Sequence, residues 1–98
     1  MIIRIVQLTF HPDRAADFIE LFDKTSHLIR SSDGCRHVEL WRHKQYDNIF
    51  STYSLWDSED HLNRYRASDL FKQIWGETKI WFAAPPVASS FESIRTVD

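Results

Sequence analysis

The sequence predicts an α+β domain of ferredoxin-like type: strand, helix, strand, strand, helix, strand, with a four-stranded antiparallel sheet and both helices on one face. Three observations lead there. Short runs rich in β-branched and aromatic residues, bounded by turn formers, occupy residues 2–10, 35–44 and 48–56. The stretches beginning at Pro12 and at Asp57 instead repeat apolar residues at helical spacing. With 98 residues, 43% hydrophobic and 27% charged, the chain can build one core, so residues 1–98 are read as a single domain.

Each element has its own signal. "IIRIVQLTF" is a strand that ends at "HPD". Pro12 suits the first turn of a helix, where a missing N–H costs nothing. Ala15, Phe18, Ile19, Phe22, Leu28 and Ile29 then form the apolar stripe, with Asp17, Glu20, Asp23 and Lys24 on the other side. "SSDG" stops the helix, and Gly34 is the expected left-handed residue. "CRHVELWRHK" and "NIFSTYSLW" read as two strands joined at "QYDN". Asp57 or Ser58 caps the next helix. Ser68-Asp69 restarts it, carrying Leu70, Phe71, Ile74, Trp75 and Phe82 as far as the stop at Pro85-Pro86, with Gly76 a weak point. "VASSFESIRTV" supplies the last strand.

A sheet covered on one face only should alternate apolar and polar residues. These strands do not. The second strand divides as Cys35, His37, Glu39 and Trp41 against Val38 and Leu40, and the third as Ile49, Tyr53 and Leu55 against Phe50, Thr52 and Trp56. The first divides as Ile3 and Ile5 against Ile2, Val6, Leu8 and Phe10. Scattered surface hydrophobics are common, but three strands agree. A second copy of the chain is therefore expected to cover the exposed face, giving a sheet-to-sheet homodimer.

Composition narrows the function. A formal net charge of -2 and the lack of a basic run give no basis for nucleic-acid binding. Cys35 is the only cysteine, so no internal disulfide forms and a reducing, cytoplasmic setting is expected. The apolar run at the N-terminus is short and broken by Arg4, which suits neither a signal peptide nor a membrane span. With Gly34 and Gly76 the only glycines, phosphate loops and dinucleotide fingerprints are impossible. No metal site is expected: none of the five histidines pairs at helical i, i+4 spacing, and His37 and His43 lie roughly 20 Å apart along a strand. The carboxylates Asp57, Glu59 and Asp60 are explained by the helix dipole.

What remains is the aromatic stretch from Trp56 to Trp75. Tyr65 shares a helix face with His61 and Leu62, and Phe71 with Trp75. An aromatic core accounts for Leu62 and Phe71. Trp56, Tyr65 and Trp75 each carry a polar atom that needs a partner when buried, and suit a half-open cavity for a flat ligand.

"LTFHPDRAADFIELF", "DGCRHVEL" and "YSLWDSEDHLNRYRASDLFKQ" resemble the antibiotic biosynthesis monooxygenase (ABM) domain family, dimeric α+β barrel proteins, over essentially the whole chain. The tryptophan before a capping "DSE", followed by an aromatic and "S-x-x-F", is the most recognisable element. The family mixes activities. Some relatives are cofactor-independent monooxygenases of phenols, anthrones or quinols, and others degrade haem. Relatives of the haem branch share an asparagine on the first strand, a tryptophan in the second helix and a histidine iron ligand. Val6, Tyr65 and Trp75 stand at those positions here, and an indole has no lone pair for iron. The resemblance therefore implies the cofactor-free branch acting on a small aromatic molecule, without metal or cofactor. In that branch Trp56, Tyr65, Phe71 and Trp75 would form the slot, Arg4 would partner an anion, and His37 or His61 would serve as base, with Tyr65 a further catalytic candidate. A non-catalytic dimeric protein that binds or senses a small molecule fits the same pocket.

Overall fold

Eight residues of mostly β-branched sequence form β1 (Ile2–Thr9) in the computed structural model, which describes residues 1–98. A 3-10 turn over Pro12–Arg14 leads into α1 (Ala15–Arg30), with the proline at the start of the turn, as its missing N–H requires. β2 (Cys35–Arg42) and β3 (Ile49–Trp56) form the hairpin. α2 (Glu59–Arg66) and α3 (Asp69–Thr78) follow, and β4 (Val87–Phe91) completes the sheet. The strand order is β2-β3-β1-β4, every neighbouring pair antiparallel. This is the ferredoxin-like α+β arrangement that the order of elements predicts.

The helix boundaries have identifiable causes. Ser58 Oγ accepts from the His61 N–H and Ser68 Oγ from the Phe71 N–H, satisfying N–H groups that have no helical partner. Gly34 has φ of +82°, and a Cβ there would lie 2.3 Å from the His61 ring. Both the backbone and the packing at this turn require glycine. At the hairpin, His43 Nδ1 accepts from the Gln45 and Tyr46 N–H groups, and Asn48 Nδ2 donates to the Phe10 carbonyl.

Three details correct the sequence reading. Cys35 does not share a face with His37, Glu39 and Trp41. A bulge between Cys35 and His37 makes Arg36 the extra residue, so Cys35 pairs with Trp56 and turns inward, while His37 pairs with Leu55 and faces out. Arg36 in turn forms a two-point ion pair with Asp57, just ahead of α2. Phe82 is not helical. α3 gives way to a 3-10 turn at Lys79–Trp81, after which Phe82 is extended, bridges Phe10 and stacks on its ring at 5.4 Å. The last strand stops at Phe91 rather than reaching Val97, because Phe91 pairs with Ile3 and β1 has only Ile2 beyond it.

The space between helices and sheet holds two buried clusters. Leu8, Phe10, Phe18 and Phe50 form one; Cys35, Trp56 and Leu62 form the other. On the opposite face, Ile3, Ile5, Tyr53 and Leu55 are half-buried. Trp41 and Phe91 there are 42% and 52% exposed.

Candidate functional site

Between the two clusters the helices stand off from the sheet and leave an open cavity of about 120 Å³. Its floor is the inner face of β1 and β3 with Val38 of β2. Strand alternation aims Arg4, Val6 and Leu8 of β1 and Thr52, Ser54 and Trp56 of β3 at it. One wall is α1, through Phe18, Phe22, Thr25 and Ile29; the other is α2 and α3, through Leu62, Tyr65, Phe71, Ile74 and Trp75. A dry apolar cavity of roughly 150 Å³ holds a benzene molecule, so this one is of single-ring size.

The aromatic side chains form a continuous row. Trp56 stacks on Tyr65 at 4.9 Å, Tyr65 meets Phe71 edge-on at 5.4 Å, and Phe71 stacks on Trp75 at 5.7 Å. Their polar atoms are in different states. Trp56 is 1% exposed and its indole N–H donates to Ser54 Oγ at 3.0 Å, so its polar atom is already satisfied. The Thr25 and Thr78 hydroxyls donate to the Leu21 and Ile74 carbonyls. The Tyr65 hydroxyl and the Trp75 indole N–H have no partner in the chain, and neither is sealed from solvent. Burial, aided by nearby Cys35, pushes the Tyr65 pKa well above the ordinary tyrosine value. Its hydroxyl therefore stays protonated and acts as a donor.

Two guanidinium groups provide the charge. Arg4 projects from the central strand, and its Nη1 donates to Ser90 Oγ of β4 at 3.0 Å. Burial lowers its pKa, and the neighbouring charge of Arg66 lowers it further. Arg66, at the last turn of α2, is exposed on the rim. No histidine, aspartate, glutamate or lysine lines the cavity.

The structure thus brings together Arg4, Trp56, Tyr65, Phe71 and Trp75, and leaves His37 and His61 outside. His37 lies on the outer sheet face, paired with Glu39 and edge-on to Tyr53. His61 sits in a separate polar groove, its Nδ1 2.6 Å from Ser58 Oγ and its Nε2 3.7 Å from Asp33. Sequence reasoning missed Arg66, Ser54 and the α1 wall. The inward parity of Ser54 between Thr52 and Trp56 could have revealed it. Arg66 had no comparable signal. No three His, Cys, Asp or Glu side chains gather as a metal-binding group.

The sequence profile described as antibiotic biosynthesis monooxygenase matches residues 1–75. The chain belongs to this family. No curated protein matches it, but solved structures share the ABM fold. A conserved protein from Methanosarcina mazei Go1 superposes with a TM-score of 0.86 at 18% identity, covering 93% of this chain and 91% of its own. Rv0793 from Mycobacterium tuberculosis gives 0.88 at 16%, covering 99% and 98%. A mutant of SnoaB, a cofactor-independent oxygenase from Streptomyces nogalater, gives 0.86 at 19%, covering 98% and 95%. The 1–75 match covers the entire cavity wall except Thr78. Val6, Tyr65 and Trp75, which the sequence resemblance sets against the haem branch, all line the cavity. No helix of the chain is long and apolar enough to cross a membrane.

Proposed function

We propose that this ABM protein is a cofactor-independent monooxygenase that oxidises a single-ring phenol or quinol, and that it works as a sheet-to-sheet homodimer. The observation that carries the reading is a small aromatic-walled cavity whose unpaired polar groups, Tyr65 and Trp75, are donors beside a half-buried cation, Arg4. An electron-rich ring can itself reduce dioxygen once its oxygen loses a proton. In such a step the phenol O–H and a ring C–H give up their hydrogens. These leave as water with one oxygen atom of O2, and the other oxygen becomes the second carbonyl of a quinone. The substrate supplies all the electrons.

The protein's contribution is then positional and electrostatic. Phe71 and Trp75 hold the ring against the floor at Trp56. The positive field of Arg4 favours the ionised ring, and the neutral Tyr65 hydroxyl donates to an oxygen on which negative charge develops. In a low-dielectric slot these effects are stronger than in water. Since His37 and His61 lie outside the cavity, the phenolic proton passes to water at the open mouth. The lack of a lining base also favours a second reading, a dimeric binding or sensing protein with the same ligand.

Oxygen uptake by the metal-stripped protein, measured across a panel of phenols, hydroquinones and anthrones, separates the two. Turnover is expected with single-ring compounds, with a loss of about tenfold or more in Tyr65→Phe. Binding without uptake anywhere in the panel selects the sensing role. For the dimer, sedimentation equilibrium at micromolar concentration should give roughly twice the 11.7 kDa chain mass. A monomer would leave Trp41, Phe91 and their neighbours without a cover.

A further inference from the structure

We infer that Arg4 and Arg66 form a two-point clamp for a carboxylate, so that the cavity's ligand is a single-ring aromatic acid rather than a neutral phenol. This deepens the proposed function only in naming the ligand; the clamp exists whether or not turnover follows.

Charge is unevenly distributed over the molecule. The chain is acidic overall, with 14 Asp and Glu against 12 Lys and Arg, yet no acidic side chain lines the cavity and two arginines do. Four of the twelve basic side chains pair with carboxylates: Arg14 with Asp17, Lys24 with Glu20, Arg36 with Asp57 and Arg64 with Asp33. Arg4 and Arg66 pair with none, and Arg66 lies close enough for its charge to disfavour that of Arg4. What sets these two apart from the other unpaired ones is that both line the cavity. A half-buried guanidinium with a second one beside it is an unfavourable arrangement in the free protein, and an anion between them relieves it.

The anion's chemistry follows from the donors. Planar guanidinium groups bind carboxylates through paired N–H···O bonds, and a carboxylate is fully ionised at neutral pH, where a simple phenol is not. The slot behind the clamp is apolar and about one ring in size. One carboxylate leaves one positive charge of the pair uncompensated, and that charge remains available to favour ionisation of a hydroxyl on the same ring.

Tryptophan emission is the natural readout, because Trp56 and Trp75 are part of the cavity wall. Titrations should use para-hydroxybenzoate and its neutral amide, para-hydroxybenzamide, at low and high salt. The acid is expected to bind about tenfold tighter or more at low salt, and the preference should shrink as salt rises. Arg66→Gln, on the exposed rim, should remove most of the preference by weakening the acid far more than the amide. Arg4→Lys, which keeps the charge but not the planar fork, should weaken the acid more than the amide. Equal binding of acid and amide by the unaltered protein would overturn the clamp. So would a preference that survives both substitutions. Tight, arginine-dependent binding of the acid without oxygen uptake would sink the monooxygenase reading and leave the clamp standing. Uptake with neutral phenols, and no binding of acids, would do the reverse.

Discussion

The helix–sheet interface has two ends built from the same kind of material, and only one of them closes. At the first, Phe10, Phe18, Phe50 and Phe82 pack ring to ring at 4.5 to 5.9 Å, and Phe10 is wholly buried. Towards the other, Trp56, Tyr65, Phe71 and Trp75 form a chain of ring contacts that meets the first end where Trp75 lies 5.4 Å from Phe82. Yet together with Phe18 they border a cavity. Phenylalanine has nothing to satisfy and can be sealed in. Tyrosine and tryptophan each bring a polar atom, and a closed core must provide it with a partner. Trp56 has Ser54; Tyr65 and Trp75 have open space. A run of aromatic residues is thus core or pocket according to whether the surrounding strands offer acceptors.

The sharpest way to break this contrast is truncation at the closed end. Phe10→Ala should cost about 3–5 kcal/mol in urea unfolding. Trp75→Phe at the open end should cost less than about 1.5 kcal/mol, while shifting the affinity of any cavity ligand. Similar losses at both positions would mean that the two ends are one core. Next in size is Gly34→Ala, which meets both a left-handed backbone and the His61 ring. About 1–3 kcal/mol should be lost, because α2, which frames the open end, can no longer seat against the turn before β2.

A pH experiment probes Tyr65. Its pKa is raised on folding, so the folded state holds this proton more tightly than the unfolded chain does. The stabilisation is complete below the unfolded value near 10 and is lost as pH rises beyond it toward the folded value. The urea midpoint should therefore fall above about pH 10, and Tyr65→Phe should flatten part of that decline. An unchanged profile in the variant would show that the hydroxyl is not desolvated. The smallest effect is of opposite sign. Gly76 is exposed in α3, and a Cβ added there would meet nothing within 4 Å. Gly76→Ala should therefore add roughly 0.5–1 kcal/mol without altering the cavity.

Much of this arrangement was legible in the sequence because it is local. Strand alternation separated the two faces of β1 and of β3, and the two serine caps located α2 and α3. Spacing fails where one residue changes the period. The bulge at Arg36 reversed the face of Cys35, and a single 3-10 turn returned Phe82 to the sheet. The site itself is harder to read than the fold. Arg4 and Arg66 approach from a central strand and from the end of a helix, and no sequence interval encodes that meeting. The histidines drew attention by their chemistry, and the fold placed both His37 and His61 elsewhere.

The strand order has a consequence for how the chain survives its own synthesis. β1, the most β-branched segment, lies between β3 and β4 in the finished sheet. Until β4 joins, one side of "IIRIV" is an unpaired edge, a ready template for another chain. The strand that closes it has five residues and is the last to be translated. It also carries Ser90, which braces Arg4, although it lies beyond the part of the chain by which the family is recognised. A nascent or truncated chain that stops short of β4 would keep its family signature while exposing its stickiest edge, and would be a natural seed for aggregation.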